Sequence, residues 1–304
     1  MNTRRDFIKT AAAAATIAAL PKLTLANGFN GTYCLFSKHL PNMNWQRLAQ
    51  TVKKLSFGGV DLTVRPQGHV LPERAAEDLP KAVAAIRDEG ITVPMITTGL
   101  LSATEPTARP ILQTAGKLRI PYLKPGYYRY AFLDVRSELD KAMTEFTSLA
   151  ELSQECGVQI GFHNHESYIG APLWDVANVI DSLPPKWVGY YFDIRHAVAE
   201  GGGAGWKIAL NLVAPRIKMI AVKDAYPEKT SKGWRQKNCP LGEGAVDWKA
   251  YFQALRQANF QGPISLHIEY DIAGKTPAEV EDNTLVAVQR DFAFLKARVQ
   301  EAYS

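Results

Sequence analysis

The sequence predicts an α/β protein built as a (β/α)8 barrel. Eight short runs of high β propensity recur along the 304 residues, and stretches with the apolar spacing of helices separate them. Eight strands that alternate with about eight helices in a chain of this length match the count of such a barrel. A doubly wound sheet is the alternative, but no GxGxxG motif follows the first strand, so nothing favours a dinucleotide site.

The individual elements follow from local patterns taken in chain order. Strands are predicted at residues 32–36, 59–64, 92–97, 121–124, 158–163, 188–193, 217–223 and 264–269. Apolar residues follow the helical period of 3.6 at Trp45, Leu48, Ala49, Val52 and Leu55. The same pattern predicts helices over 139–156, where Gly157 is a natural C-terminal cap, and over 247–258 and 277–302.

Residues 1–26 have the pattern of an export signal rather than of a folded element. Arg4 and Arg5 precede an alanine-rich apolar run over 10–20, which leads to a small-residue cleavage site. Paired arginines are typical of the twin-arginine signal, and the run is too short to span a bilayer core of about 30 Å. We therefore expect a periplasmic protein that uses the twin-arginine export machinery, with a single catalytic barrel domain over 27–304.

Charge and cysteine content exclude several classes of protein. The formal net charge is +5, but the signal holds four basic residues and one acidic residue, so the remaining chain carries about +2. This small charge argues against nucleic-acid binding, which depends on contacts with phosphates. Three cysteines without a CxxC spacing exclude a disulfide framework and a zinc ribbon. The glycine run 201–203 lacks the lysine and serine of a phosphate-binding loop, and we predict a flexible loop there.

Strand alternation predicts which side chains point into the barrel. Successive side chains face opposite sides of a strand, and the aliphatic face packs against the helices, so the polar face lies toward the axis. Catalytic groups of this fold come from the C-terminal strand ends. The ionisable residues expected there are Asp61, Arg65, Lys124, His163, His165, Asp193, Lys223, His267 and Glu269. A salt bridge that closes the barrel explains any one of them, but the whole set indicates a site for a metal or a polar ligand.

Several segments at these positions resemble the sugar phosphate isomerase/epimerase family, the xylose isomerase-like TIM barrels that also include endonuclease IV. They are GFHNHE at 161–166, which is similar to the family's GYHNHD, FDIRHAVAEGG at 192–202, LGEGAVDW at 241–248 and HIEY at 267–270. The resemblance covers nearly all of the chain after the signal. It is specific for the superfamily and weak for any one substrate.

The resemblance implies a divalent metal ion held by residues from the last four strands. Asp193 and Glu269 match the family's aspartate and final glutamate, and His163 stands where several relatives have a glutamate ligand. Imidazole together with carboxylate suits Mn²⁺, Zn²⁺ or Fe²⁺ better than Mg²⁺. The ligand set expected here is His163, Asp193, His267 and Glu269.

The seventh strand departs from the family pattern. Many members read HLKD there, whereas this chain has Ala221 in place of the histidine and retains Lys223 and Asp224. Either His267 or His165 replaces the missing ligand, or the metal has been lost.

The chemistry implied by the resemblance begins with removal of the proton next to a carbonyl of a sugar or keto-sugar. Isomerisation, epimerisation and β-elimination all follow from the resulting enediolate, which a metal ion stabilises. Glu269 serves as ligand or base, Lys223 supplies a proton or binds a hydroxyl, and His196 matches the family's substrate histidine. The substrate-binding candidates are His165, Arg65, Lys124, Trp234 and His69.

Three of these candidates lie in segments that follow strands. Trp234 belongs to a polar loop predicted over 228–238, where a solvated loop is the alternative, and Arg65 and His69 belong to RPQGH after the second strand. Two other functions fit the same barrel: a metal-free periplasmic carbohydrate-binding protein, and an endonuclease IV-like nuclease, which the small charge disfavours. The expected partner is a small sugar or glycoside, with assembly into a homo-oligomer left open.

Overall fold

The computed structural model describes residues 28–304, in which a closed parallel barrel confirms the predicted (β/α)8 architecture. Its strands are β1 (Tyr33–Phe36), β2 (Gly59–Val64), β3 (Thr92–Thr98), β4 (Tyr122–Lys124), β5 (Gln159–His163), β6 (Val188–Asp193), β7 (Ile217–Val222) and, after a hairpin of β8 (Asp224–Thr230) and β9 (Gly233–Cys239), β10 (Ile264–Leu266). Strand β10 pairs with both β7 and β1 and so closes the barrel. The predicted export signal at 1–26 lies outside the described residues.

Helices cover the outside of the barrel. They are α1 (Trp45–Lys54), α2 (Ala75–Asp88), α3 (Ala108–Lys117), α4 (Val135–Glu155), α5 (Ala177–Ser182), α6 (Ile194–Val213), α7 (Trp248–Gln257) and α8 (Pro277–Tyr303). Side-chain caps fix where five of these begin, because Asn44, Asp134, Asp193, Asp247 and Thr276 each accept a hydrogen bond from a backbone N–H in the first turn. None of the helices within 28–304 is both long and apolar enough to cross a bilayer.

Two apolar clusters show that the strands face as the alternation predicted. The larger cluster joins Val60 and Leu62 of β2 to the helices, whereas a small separate one contains Met95, Tyr191, Met219 and Ala221. The second cluster comes from β3, β6 and β7 and fills the inside of the barrel, which is therefore a packed core rather than a pore. Polar groups on the same inner faces continue from this plug to the C-terminal strand ends.

The segment after β7 is a correction to the predicted polar loop over 228–238. It forms the antiparallel hairpin of β8 and β9, with Glu228 opposite Arg235. The Glu228 carboxylate lies 2.7 Å from Nη2 of Arg235 and 2.9 Å from Nζ of Lys237. Cross-strand ion pairs support a hairpin whose solvated residues lack the apolar alternation from which strands are recognised.

The glycine run 201–203 is a second correction, because it lies inside α6 rather than in a flexible loop. The helix is broken at Gly202, whose φ of 60° and ψ of −155° only glycine adopts at low cost. Buried residues on both sides of the break, Ala197 and Trp206 among them, pack against the core. Tertiary packing therefore holds a helix that the local glycine content argues against.

The three cysteines are free thiols. Cys34 and Cys239 are buried and Cys156 is half-buried. The single disulfide that three cysteines leave open is not formed within residues 28–304.

Candidate active site

A buried lysine links the two carboxylates that the sequence singled out. Lys223 follows β7, and its Nζ lies 3.1 Å from Oδ2 of Asp193, at the end of β6, and 2.9 Å from Oε2 of Glu269, beyond β10. Its side chain is only 4% exposed. On the other side, Oε1 of Glu269 lies 3.0 Å from Nζ of the half-exposed Lys38. The C-terminal strand ends thus meet in one charged cluster.

The charges in this cluster hold one another ionised. Burial opposes the charge of Lys223, but the carboxylates of Asp193 and Glu269 outweigh it and raise the lysine's pKa above its ordinary value. Burial likewise works against both carboxylates, yet Lys223 lowers the pKa of Asp193 and of Glu269 well below the usual range. An ammonium fixed between two carboxylates is therefore the state of this site at neutral pH.

Two histidine rings flank Asp193 on its other side. Nε2 of His163 lies 3.4 Å and Nε2 of His196 3.8 Å from Oδ2 of Asp193. Burial lowers the pKa of His163 to about 3 and that of His196 well below its ordinary value, so both rings are neutral. Ligand-type atoms of these three residues lie within 4.8 Å of one another, which makes the trio a candidate metal site.

Arg195 determines where the proton of His196 resides. Its Nη1 lies 3.0 Å from Nδ1 of His196, and because a guanidinium can only donate, Nδ1 accepts and the neutral ring carries its proton on Nε2. Glu166 and Asn238 hold the guanidinium in place. Nε2 of His196 has no hydrogen-bond partner within the described part of the chain. The ring therefore offers a free N–H beside Asp193.

His267 belongs to a different network from the one around Asp193. Its Nε2 lies 3.2 Å from both the hydroxyl of Tyr191 and Oγ of Ser265. Ser265 donates to Asp61 at 2.7 Å, and burial raises the pKa of that carboxyl to about 6. Nδ1 of His267 is 3.9 Å from Oε1 of Glu269. The ring thus joins Glu269 to the buried network of the barrel interior.

Lys124, at the end of β4, is buried without an acid partner. Its Nζ lies 3.4 Å from the centroid of the Tyr127 ring, and no ion pair within residues 28–304 includes it. Burial first, and then the nearby charge of Arg65, lower its pKa well below that of an ordinary lysine, although the charges of Asp61 and Glu269 oppose the shift. The side chain is 1% exposed. Lys124 is therefore an amine that holds its proton weakly.

An aromatic wall next to the cluster escaped the sequence reasoning. The ring of His165 lies 3.7 Å from that of His196, 4.7 Å from that of Tyr127 and 4.8 Å from that of Tyr168. Tyr127 and Tyr168 follow β4 and β5 in loops, where strand alternation carries no information. Half-buried aromatic rings of this kind provide faces on which a sugar ring packs.

The other three substrate-binding candidates lie in different surroundings. The Arg65 guanidinium stands 5.7 Å from the centroid of Phe36 and contributes charge near Lys124. His69 is engaged in its own loop, with Nδ1 3.3 Å from Oγ1 of Thr63. Trp234 projects from β9 and is 71% exposed. Contact of these last two with a substrate stays a prediction.

Comparison with known proteins agrees with the barrel fold described above. The family model described as xylose isomerase-like TIM barrel matches residues 49–297. The inosose dehydratase of Geobacillus thermodenitrificans is 26% identical over 153 residues, which are 47% of this chain and 51% of that protein. The chain thus spans about half the length of this curated relative.

Solved structures extend the likeness of fold to most of the chain. D-Psicose 3-epimerase with D-tagatose from Clostridium cellulolyticum H10 matches with a TM-score of 0.68 and 13% identity, over 88% of this chain and 99% of that one. A xylose isomerase-like TIM barrel protein from Mycobacterium smegmatis in complex with magnesium gives 0.63 and 14%, over 90% and 98%.

Proposed function

The chain belongs to the xylose isomerase-like TIM barrel family, and from this premise we propose that it is a sugar-modifying enzyme. Its reaction starts with removal of the proton next to a carbonyl of a sugar or keto-sugar. The observation that carries the proposal is the ammonium of Lys223 fixed beside the unpartnered N–H of His196. Related proteins that act on inososes and ketohexoses support the substrate class.

Negative charge develops on the carbonyl oxygen when the neighbouring proton leaves. Two donors suit that oxygen at the mouth of the barrel, the opening at the C-terminal ends of its strands. They are the ammonium of Lys223 and Nε2–H of His196, and both are held in place before the substrate arrives. Return of the proton to the other face of the same carbon gives epimerisation. Return to the adjacent carbon, with a proton moved from one oxygen of the enediol to the other, gives isomerisation, and transfer of the proton to a β-hydroxyl that leaves as water gives elimination.

The proton needs an acceptor with a free lone pair. Glu269 is a weak base in this setting, because Lys223 and Lys38 both hold its carboxylate. Lys124 forms no ion pair within residues 28–304, and burial lowers its pKa well below the ordinary value against the opposing charges of Asp61 and Glu269, so its amine is the better general base. We assign proton abstraction to Lys124, and to Glu269 the task of holding Lys223.

The metal-assisted form of this reaction fits the residues poorly. It requires Mn²⁺, Zn²⁺ or Fe²⁺ on His163, Asp193, His267 and Glu269, but Lys223 stands between the two carboxylates and His267 lies with Tyr191 and Ser265. His196, the third member of the candidate trio, carries its proton on the nitrogen nearest Asp193. Every step above is therefore assigned to the chain's own side chains.

The place of action belongs to the same proposal. The export signal over residues 1–26 supports a periplasmic enzyme delivered by the twin-arginine machinery. An enzyme there meets free sugars and glycosides rather than sugar phosphates.

The test is proton exchange in heavy water. Free ketoses, inososes and keto-glycosides are incubated with the natively exported protein, and loss of the α-proton signal is followed by NMR. Exchange with at least one class, abolished in Lys124→Met and retained in Lys81→Met, which removes an exposed lysine of α2, is the expected result. Saturable binding of a sugar without exchange would instead identify a carbohydrate-binding protein.

A further inference from the structure

Lys223 stands where the family's divalent ion is expected, between Asp193 and Glu269. We propose that its ammonium is the resident cation of the site, and that the protein carries out its reaction without a metal ion. The catalytic half of this inference rests on the proposed function, whereas the statement about metal binding does not.

The first argument is the space between the carboxylates. Nζ of Lys223 contacts Oδ2 of Asp193 at 3.1 Å and Oε2 of Glu269 at 2.9 Å. A divalent ion bonded to either oxygen at about 2.0–2.3 Å would have to stand against this ammonium. Like charges repel strongly at such a distance in a buried site. The ion and the lysine therefore compete for one position.

The second argument is the supply of lone pairs. Oδ1 of Asp193 accepts the backbone N–H of His196 at 3.2 Å, and Oδ2 faces both Lys223 and His163, so each oxygen already has a partner. His196 has no lone pair on Nε2, because Arg195 donates to its Nδ1. Of the candidate trio only His163 and the carboxylate of Asp193 remain as donors. Three or four ligands are needed for a stable site of this type.

The third argument is the strand next to Asp193. Ala221 of β7 is the residue in register with Asp193, and its methyl group belongs to the apolar plug with Met95, Tyr191 and Met219. The position that would offer a ligand beside Asp193 offers none. Lys223, two residues further along the same face, supplies a positive charge in its place.

The fourth argument is the balance of charge. Asp193 and Glu269 contribute two negative charges, and Lys223 and Lys38 contribute two positive ones through direct contacts. A divalent ion would add two charges with no counter-charge in a buried site, which is costly. The two carboxylates are therefore already neutralised by the two lysines that contact them.

The inference also defines how a substrate is held. An ammonium has three N–H donors, and contacts with Asp193 and Glu269 use two of them. The third is left for one oxygen of the substrate, next to the N–H of His196. The site therefore recognises a single carbonyl oxygen and not a pair of oxygens that chelate an ion.

Binding of Mn²⁺ tests the inference directly. The natively exported full chain is dialysed against EDTA and titrated with Mn²⁺, with free Mn²⁺ followed by electron paramagnetic resonance. We expect no saturable binding by the wild type. The double variant Ala221→His with Lys223→Ala restores a ligand and removes the competing charge, and should bind Mn²⁺ roughly a hundredfold more tightly or better. Lys38→Met, which removes only the outer ammonium, is the matched control and should not gain a site.

A second measurement holds even if the double variant fails to fold. Two-bond ¹⁵N–¹H spectra of the wild type report the tautomer of His196, and Nε2 should stay protonated when Zn²⁺ is added. One tightly bound equivalent of Mn²⁺ that is lost in His163→Ala, or loss of the Nε2 proton on addition of Zn²⁺, would overturn the inference.

The two proposals fail in different ways. Proton exchange that appears only after Mn²⁺ is added would remove the inference and leave the sugar-modifying function intact. Absence of both metal binding and exchange, with every sugar class, would remove the function and leave the resident ammonium.

Discussion

Lys124 and Lys223 stand at the ends of two strands of the same barrel, and both are almost fully buried. On the β7 side, two carboxylates contact Lys223 and raise its pKa, whereas on the β4 side Lys124 faces the Tyr127 ring and its pKa falls. One environment yields a permanent cation and the other an amine that readily gives up its proton. Because both lysines are buried, the difference between them comes from the groups that surround each one.

The largest expected effect comes from Lys223→Met. Loss of the ammonium leaves Asp193 and Glu269 buried and repelling each other, which should lower the free energy of unfolding by about 3–5 kcal/mol. Proton exchange should fall by roughly 10³-fold, since the fixed donor to the oxyanion is gone. Urea unfolding and exchange in heavy water measure the two effects. Lys38→Met is the control, and it should lower the free energy of unfolding by about 1 kcal/mol or less. An equal loss in both variants would contradict the view that Lys223 holds the two carboxylates together.

Lys124→Met should separate activity from stability. An amine without an acid partner contributes little to folding, so the free energy of unfolding should stay within about 1 kcal/mol or rise. Exchange should fall by about 10²–10⁴-fold, the range for a general base. Unchanged exchange in a folded variant would show that the base lies elsewhere. A pH profile of the wild type sharpens the comparison, because exchange should rise with pH and level off below the ordinary pKa of lysine.

Arg195→Leu should have an intermediate effect on proton exchange, because it changes His196, which lies beside Lys223 and Asp193, and leaves Lys124 unchanged. Without the guanidinium, Nδ1 of His196 is free to carry the proton, and the N–H beside Asp193 is lost in part of the molecules. Exchange should fall by about 10–100-fold, as for other residues that orient a reacting group. Two-bond ¹⁵N–¹H spectra should show the change of tautomer, which a purely structural role for Arg195 would not produce. Arg235→Leu, in the hairpin, is the matched control.

The effect that is smallest at neutral pH concerns His39, a buried histidine close to Lys223. His39 accepts the backbone N–H of Ile268 through Nε2, and burial lowers its pKa to about 3. The unfolded chain binds a proton at this residue below about pH 6.5 and the folded protein does not. Stability should therefore fall as pH drops from about 6.5 toward 3, by up to roughly 1.4 kcal/mol per pH unit for one histidine. His39→Gln keeps a hydrogen-bond acceptor and should reduce the dependence of the unfolding free energy on pH. An unchanged dependence would show that water reaches the ring of His39 in the folded protein.

The barrel and the charged residues of the mouth could be predicted because both depend on the two-residue period of a strand. Asp193, Lys223 and Glu269 lie on inner faces or directly after them, and the structure brings them together. Arg195 could not be found in this way, because it lies in the first turn of α6 and acts on its neighbour in the chain. The charged hairpin and the helix broken at Gly202 escaped because long-range pairing and packing override the local pattern.

The hairpin of β8 and β9 has a base that contacts residues of the candidate site and a tip that is exposed to solvent. Its base is fixed by Asn238, which accepts from Arg195 and donates to the backbone of Glu269, so a change there disturbs both the residue that orients His196 and the residue that holds Lys223. Its tip carries Trp234, whose side chain is 71% exposed to solvent. The tip is therefore the place where substitutions can alter the preference for a glycoside while the residues around Lys223 keep their partners.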